Sequence, residues 1–457
     1  MLYKLKTKYC IFCNIVLYYN LYIYVRRLFM TIHNITDGVR LVSVQTDKFK
    51  TGSVIFTLAT PLDGNISAKA ILPFLLHRRC RKYPDFSAFN GILDELYGAG
   101  IYAYVTKKGE ALLLNIALNA IDDRFSLDGG KVTAQCIELL TDLVFDPIVE
   151  DGAFPTDIVE EEKRLLIEKL EAEKNNKRLY ALLKCEEIMF ANEAYGRHRY
   201  GTVESIKELT GKDIYAEWRN LIKTAQMQIT MVGSSAPEFV RDILKKKFSR
   251  VKREVAPCET EFLPGYPKPN YVSETQNVKQ GKLVMGFRTG MRNHDDNLEA
   301  MIVAVDIFGG GTYSKLFSVV REKMSLCYYC SAVLNSNKGV VMLQSGIENE
   351  NEEKAKNEIL NQLKEVAAGN FSDDDFSASI KSICDGTLSY NDTPEGLCAW
   401  YHASIFRENP LTPEERIEKI RKVDRNQVIR AAKTIMLDTV FMLRGNKDGE
   451  EAEDDED

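Results

Sequence analysis

The two halves of the sequence repeat one order of predicted elements, and this repeat limits the possible folds more than any other feature. The first half has an apolar strand pattern at Gly52–Pro61, then an apolar helix, a second helical pattern and a hairpin around Lys107–Gly109. The second half has a strand pattern at Gly281–Gly290, the same two helical patterns and a hairpin around Asn337–Gly339. A repeated order with matching spacing indicates an internal duplication.

Both halves also end alike, with a short helix, a capped second helix and a strand. Asp213 and Asp424 lie where capping residues are expected, and the strands end at Gly233 and Gly445. Strands and hairpins that alternate with amphipathic helices predict an α+β fold with two homologous domains. Each domain is expected to be a mainly antiparallel sheet with helices on one face.

The halves define the domain boundaries that we predict. We place a first domain at residues 30–250 and a second, homologous domain at residues 272–446. Residues 251–271 between them are rich in proline and charged residues, which is typical of a linker. We expect the two domains to form a clam shell, with a binding site in the space between them.

The two ends of the chain differ from the rest. Residues 1–29 are apolar and rich in tyrosine, but they are short for a spanning helix and lack the small-residue cleavage site of a signal peptide. Met30 opens a typical strand pattern, so we interpret residues 1–29 as a non-native extension from a mis-called start. A signal peptide or a short membrane anchor is the alternative. Residues 447–457 form an acidic tail that we expect to be disordered.

Composition excludes some classes of function. The net charge is −6 and no dense basic block occurs, so we expect no nucleic acid as a partner. The ten cysteines are scattered, which suits a reducing cytoplasm. We also expect no membrane as a partner. Two CxxC pairs occur, Cys10/Cys13 and Cys327/Cys330, without the neighbouring pair or histidines that a zinc site needs. We expect Cys327 and Cys330 to lie on opposite faces of a strand.

The stretch from Phe308 to Cys330 combines residue types that often form a binding site. Gly309–Gly311 follow an apolar helical pattern, Arg321 lies on a second helical pattern, and Tyr328 comes seven residues later. A guanidinium group offers a planar fork of donors to a carbonyl, and a phenol can donate to a developing oxyanion. The glycines lack the spacing of a phosphate-binding loop, so we expect them to end the helix in a left-handed conformation.

This stretch and the order of elements resemble the insulinase/pitrilysin-type zinc metallopeptidases over about residues 32–446. The resemblance implies duplicated halves, of which the first carries an inverted zinc motif, HxxEH, and a further glutamate on a later helix. It also implies that Arg321 and Tyr328 of the second half hold the substrate and the developing oxyanion. The matching segments are Ser314–Phe317, Arg321–Lys323, Leu326–Tyr329 and, in the first half, Tyr195–Thr210.

The sequence departs from this family at the zinc motif. Ala70, Pro73 and Phe74 occupy the positions of the first histidine, the glutamate and the second histidine, and none of them binds zinc or accepts a proton. His77 stands nearby, and no two of the five histidines are three or four residues apart. We therefore expect no metal in this chain and no peptidase activity from the chain alone.

A second part of the zinc site is also in doubt. Glu161 and Glu168 lie seven residues apart on a predicted helix, as the paired glutamates of the family do. Residues seven apart share one helix face. Without the histidines we favour a solvated face with ion pairs between neighbouring turns.

The intact Arg/Tyr half and the missing metal half lead to two hypotheses. The first is a non-catalytic subunit of a heterodimeric zinc peptidase, in which a paralogous HxxEH-bearing partner cleaves peptides or small proteins and Arg321 and Tyr328 act in trans. Within the family the chain particularly resembles zinc-less Gram-positive paralogues, some of them associated with elongation factor P modification. The alternative is a structural scaffold subunit without a peptidase role, like the respiratory core subunits of the same family.

Overall fold

The computed structural model describes residues 29–249, 251–263, 268–292 and 295–446. The segment before Phe29 and the acidic tail lie outside these residues, so our interpretation of both stays a prediction. Met30 pairs with Val44 in an antiparallel hairpin, which confirms that the chain forms a strand from this point.

Two sheets are formed by the described residues. The strands are β1 (Phe29–Thr36), β2 (Val39–Gln45), β3 (Thr51–Pro61), β4 (Gly100–Lys108), β5 (Ala111–Ile121), β6 (Gln226–Gly233), β7 (Asn270–Gln276), β8 (Gly281–Arg288), β9 (Tyr329–Asn335), β10 (Val340–Ile347) and β11 (Met436–Gly445). The first sheet has the order β1-β2-β6-β3-β5-β4 and the second β7-β11-β8-β10-β9.

The two sheets correspond strand for strand once β1 is set aside. The pairs β2–β6 and β7–β11 are parallel, and the other pairs in both sheets are antiparallel. Both predicted hairpins are present, as β4–β5 and β9–β10. The predicted α+β fold with two mainly antiparallel sheets is therefore confirmed.

Helices fill the intervals between the strands. Those of the described residues are α1 (Ile66–Leu76), α2 (Phe86–Glu95), α3 (Val132–Phe145), α4 (Thr156–Asn175), α5 (Lys177–Met189), α6 (Val203–Glu208), α7 (Gly211–Thr224), α8 (Pro237–Phe248), α9 (Leu298–Gly309), a π-helix (Leu316–Lys323), α10 (Glu352–Ala368), α11 (Asp373–Leu388), α12 (Pro394–His402), α13 (Pro413–Arg421) and α14 (Arg425–Ala432). Most pack on one face of the sheet of their own half. Phe56 of β3 thus meets Ile71 and Leu140 in the first core, and Phe287 of β8 meets Phe308 in the second.

Capping boxes begin α7 and α14, the helices that precede β6 and β11. Asp424 caps α14 as predicted, by accepting from the Gln427 N–H (2.9 Å). In α7 the cap is Thr210, and Asp213 is the third helical residue, whose carboxylate accepts from the Thr210 N–H (3.0 Å). The reciprocal pair of bonds satisfies amide groups that the first helical turn leaves free.

The opposite face of each sheet is covered by a helix from the other half. Helix α5 of the first half places Cys185 against the second sheet, in a cluster with Val284 and Phe441. Helix α12 of the second half places Tyr401 against the first sheet, in a cluster with Val42. Helices on one face alone were predicted, and this exchange was not.

The segment between the sheets is fixed to the first half. The N–H groups of Glu254 and Ala256 donate to the carbonyls of Lys223 (3.0 Å) and Thr224 (2.8 Å). Val255 between them packs over Gly38, where φ is +65° and an added Cβ would lie 2.4 Å from the valine side chain. β7 begins at Asn270, inside the stretch that we assigned to the linker.

Buried charges join the halves beside α5. Arg288 of β8 contacts Glu193 of the first half (Nη2–Oε1 2.6 Å) and Asp438 of β11 (Nε–Oδ2 2.7 Å). Lys338 contacts the other oxygen of Glu193 (2.7 Å) and Glu110 (2.5 Å). The Arg288 and Lys338 side chains are 2% and 0% exposed, so these pairs are shielded from water and salt.

Candidate functional site

Arg321 and Tyr328 line one cavity of about 380 Å³. Both residues thus line the same cavity, but it does not lie in the space between the halves where we expected a binding site. All residues that line this cavity come from the second half: besides Arg321 and Tyr328 they are Glu322, Ser325, Leu326, Cys327, Glu348 and Asn351.

A π-helix and a left-handed residue create this arrangement. The helical pattern around Arg321 winds as a π-helix over Leu316–Lys323. The Met324 N–H then donates to the Val319 carbonyl (2.9 Å), and Ser325 has φ +51°. Wide helical turns and left-handed non-glycine residues are both rare and concentrate at functional sites. The turn reverses the chain, so that Arg321 and Tyr328 face the same cavity.

Glu348 is the partner of Tyr328, and we had not predicted it. The Tyr328 hydroxyl donates to Glu348 Oε1 at 2.6 Å. The hydrogen bond to this carboxylate, and its negative charge, raise the pKa of Tyr328. The register of the β9–β10 hairpin is the signal by which Glu348 could have been found. The Tyr328 N–H donates to the Gly346 carbonyl (2.9 Å), and this pairing places Glu348 near the tyrosine.

Arg321 extends from the end of the π-helix with its side chain 41% exposed. The guanidinium carbon lies 4.7 Å from the centre of the Phe317 ring, and Nε is 3.7 Å from Glu322 Oε1. An exposed ion pair of this length is weak. The guanidinium therefore keeps most of its donor capacity for a ligand in the cavity.

The glycine turn before this site differs from the prediction. Helix α9 ends at Gly309, and Gly310 has the right-handed angles φ −83° and ψ −39°. A Cβ on Gly309 would lie 2.8 Å from the Ala332 N of β9 and 2.6 Å from Leu316 Cδ1. The expected left-handed conformation is therefore wrong, and Gly309 is needed because the helix end approaches the strand backbone closely.

The three positions of the degenerate zinc motif lie on α1. Ala70 and Pro73 are buried, and the Phe74 ring lies 6.2 Å from the Tyr200 ring. Lys169 Nζ lies 5.3 Å from the Phe74 ring and 5.2 Å from the Tyr200 ring. An aromatic pair with an ammonium group over it offers a metal ion no donor atoms and a repelling charge. These residues do not fit zinc.

The paired glutamates form part of a charged helix face. Glu168 accepts from Arg164 one turn away (2.6 Å), and Glu161 lies 3.5 Å from Arg78. Their side chains are 55% and 50% exposed. This agrees with the solvated face that we favoured. Across the described residues, no group of three or more His, Cys, Asp or Glu side chains is arranged to hold a metal ion.

Cys327 and Cys330 are closer together than we predicted. Cys327 precedes β9 and only Cys330 lies within it, so the alternation of a strand does not apply to both. The two thiols interact with each other and with the side chain of Ser345 on β10, and both cysteines belong to the core of the second half. The prediction of opposite faces is wrong because the strand begins two residues after Cys327.

The second segment that carried the family resemblance lines another cavity. Residues 196–198 and 201–205 meet the start of α1 around about 600 Å³. Within it, His198 Nε2 lies 3.0 Å from Glu173 Oε2, and Ser67 Oγ donates to the Tyr200 carbonyl at 2.9 Å. The segment thus ties α1 to the end of α4, and neither Arg321 nor Tyr328 reaches it.

Comparison with known proteins identifies the family. The chain is 32% identical over 411 residues to the probable inactive metalloprotease YmfF of Bacillus subtilis (strain 168), covering 90% of this chain and 96% of that protein. A family model described as peptidase M16 inactive domain matches residues 208–383. The chain belongs to the M16 peptidase family. It is a homologue of the inactive members of that family, so the resemblance found in the sequence is confirmed.

Solved structures of other proteins share the fold. A conserved protein from Enterococcus faecalis V583 has 25% identity and a TM-score of 0.84, over 92% of this chain and all of that chain. A chain of complex III2 from Candida albicans has 15% identity and a TM-score of 0.70, over 90% of this chain and 94% of that chain. At 15% identity the likeness concerns the fold alone.

A helix that spans a membrane must be both long enough to cross it and mostly apolar. Among the described residues of this M16 homologue, none of the helices meets both conditions.

Proposed function

We propose that this M16 homologue is the non-catalytic subunit of a heterodimeric zinc peptidase. In this proposal a paralogous, HxxEH-bearing partner holds the zinc and cleaves a peptide, and Arg321 and Tyr328 bind that peptide in trans. The observation that carries the proposal is the shared cavity, where both side chains meet although nothing in α1 fits a metal.

The chemistry of the cavity suits a peptide carbonyl. The Arg321 guanidinium offers donors to the carbonyl before the reaction, and the Tyr328 hydroxyl offers one to the oxygen as it gains charge. The Tyr328 side chain is 59% exposed, so a substrate held by a second chain can reach it. All residues that line the cavity come from one half of this chain. In this proposal the second chain covers the open side of the cavity.

Glu348 sets a condition on this mechanism. A phenol has one proton to donate, and in this structure Glu348 accepts it (2.6 Å). Tyr328 must therefore turn away from Glu348 before it can donate to a substrate oxygen. We propose that the arrangement seen in the isolated chain is a resting one, which substrate or partner changes.

The experiment uses the assembled pair. A tagged chain is purified from its host with its M16 partner, and the partner is identified by its HxxEH sequence and by peptide cleavage. Tyr328→Phe removes one hydroxyl, and we expect kcat to fall by roughly a hundredfold while assembly is unchanged. Tyr271→Phe is the matched control, because Tyr271 of β7 is 55% exposed and lies outside the cavity.

Arg321→Ala should raise KM as well as lower kcat, because the guanidinium also binds the ground state. Arg241→Ala on α8, where the arginine pairs with its neighbour Asp242 in an exposed setting, should change neither constant. The zinc content of the partner should be the same in all variants. Wild-type cleavage by a pair that carries both Tyr328→Phe and Arg321→Ala would contradict the proposal.

A structural scaffold without a peptidase role is the second candidate. The observation that favours it is the same Tyr328–Glu348 hydrogen bond, which gives the tyrosine a purely internal partner. A chain of complex III2 from Candida albicans shares this fold. A stable complex without cleavage of any peptide would support this reading.

The abundance of free cysteines in the described chain supports the cytoplasm as the location.

A further inference from the structure

We propose that Cys327 and Cys330 are a redox-active dithiol, which hydroperoxides oxidise to an intramolecular disulfide beside Arg321 and Tyr328. The proposal does not depend on a partner subunit or on peptidase function. It rests on the placement of the two thiols, on their different access to the cavity, and on the positive charge next to one of them.

The placement brings the sulfurs together. Cys327 lies in the turn before β9 and Cys330 in the strand, both in the core of the second half, and the change of backbone direction between them lets the two thiols interact. Ser345 of β10, which pairs with Cys330 in the sheet, contacts both thiols. A contact already formed between thiols is the first condition for a disulfide.

The two thiols differ in access and in charge. Cys327 lines the cavity with Arg321, whereas Cys330 does not. The hydrogen bond from Cys330 and the positive charge of Arg321 lower the pKa of Cys327 against the effect of burial. The hydrogen bond to Cys327 and burial raise the pKa of Cys330. Cys327 is thus the attacking thiol and Cys330 the resolving one.

The reaction balances with a hydroperoxide as the only oxidant. The Cys327 thiolate attacks the peroxide, the O–O bond breaks, and a sulfenic acid forms with release of water or an alcohol. The Cys330 sulfur then attacks the sulfenic sulfur, the S–O bond breaks, and a second water leaves with the Cys330 proton. Two thiols lose two electrons, and the peroxide gains them. A thiol reductant reverses the change by disulfide exchange.

The consequence falls on the site, because Tyr328 and Tyr329 lie between the two cysteines. A disulfide closes a short ring that contains Tyr328, the residue whose hydroxyl meets Glu348. Oxidation therefore restrains the backbone that carries this tyrosine. Ser325, two residues before Cys327, has its backbone in the left-handed region. The backbone that enters the ring therefore has little freedom to adjust.

The test treats the full chain with hydrogen peroxide, unfolds it, alkylates the remaining thiols and maps the peptides. We expect the peptide with Cys327 and Cys330 to escape alkylation, to be lighter by two hydrogens, and to recover with dithiothreitol. Cys258 is the internal control, because it is the one described cysteine that is partly exposed, although its partial burial raises its pKa to about 12. It should stay alkylated under the same treatment.

Three variants separate the steps. Cys330→Ser should stop at a sulfenic acid on Cys327 that dimedone traps, and Cys327→Ser should give neither product. Arg321→Gln should slow oxidation at least about threefold, because the thiolate fraction of Cys327 falls. Both thiols remaining available for alkylation after the peroxide treatment would overturn the proposal, whether or not Cys258 is oxidised. So would dimedone labelling of Cys258 in preference to Cys327 in Cys330→Ser.

Discussion

Replacing Arg288 with methionine should lower the free energy of unfolding by about 3 kcal/mol, because the buried ion cluster between the halves loses one of its two cations. Loss of one partner from a buried pair usually costs about 3–5 kcal/mol. The lower end applies here, since Glu193 keeps Lys338 at 2.7 Å and Asp438 keeps the Thr439 hydroxyl at 2.7 Å. Methionine retains the apolar stem, so the loss reports on the charge rather than on a cavity.

Urea unfolding measures this difference as a shift of the midpoint with an unchanged slope. Arg444→Met is the matched control, because Arg444 binds Glu352 through two bonds of 2.8 and 2.9 Å but is 41% exposed. We expect this control to lose less than about 1 kcal/mol. The double variant Arg288→Met/Asp438→Asn should recover part of the loss, since it removes the carboxylate left without its arginine.

The effect should also depend on pH. Burial alone raises the pKa of Glu193, but hydrogen bonds from Arg288 and Lys338 outweigh it and hold the pKa below its usual value. A carboxylate with a lowered pKa stabilises the fold above the pKa of the unfolded state, and this is lost as pH falls through the folded value. The gap between wild type and Arg288→Met should therefore shrink in acid. Equal losses in Arg288→Met and Arg444→Met at neutral pH would refute the reasoning.

Two further predictions follow from the glycine turn and from α1. Gly309→Ala should lower the free energy of unfolding by about 1–3 kcal/mol, since the new Cβ would lie 2.8 Å from the Ala332 N; Gly91→Ala in α2, with no atom within 4 Å of its Cβ, should be neutral or slightly stabilising in the same urea assay. The purified chain should hold no stoichiometric zinc by elemental analysis, because the motif positions on α1 provide no ligands; about one zinc per chain that is lost in Glu168→Gln would contradict this.

Local patterns made much of the fold predictable. The hairpins around Lys107–Gly109 and Asn337–Gly339 carry strong turn signals. The apolar helices α1 and α9, which follow β3 and β8, each have a continuous buried pattern. The expectation that Arg321 and Tyr328 share a site came from the family resemblance of the segment around them. These features depend on residues close in sequence, where periodicity and turn chemistry are informative.

The remaining features depend on contacts between distant residues. Nothing in the pattern of α5 or α12 says which sheet the helix will cover, since an apolar stripe fits any apolar face. The π-helix before Ser325 and the contact of Cys327 with Cys330 depend on backbone turns that propensity does not encode. Glu348 was missed because its partner lies twenty residues away along the chain, across the hairpin whose register has to be counted to find it.

Because α5 and α12 are exchanged between the sheets, we expect the two halves to fold as a single cooperative unit. Each sheet completes its second apolar face only with a helix encoded in the other half. A fragment that ends after the first sheet would display the face that Tyr401 now covers, and the second sheet alone would display the face that Cys185 covers. Such faces favour aggregation. The repeat that is visible in the sequence therefore does not divide the molecule into parts that can fold independently.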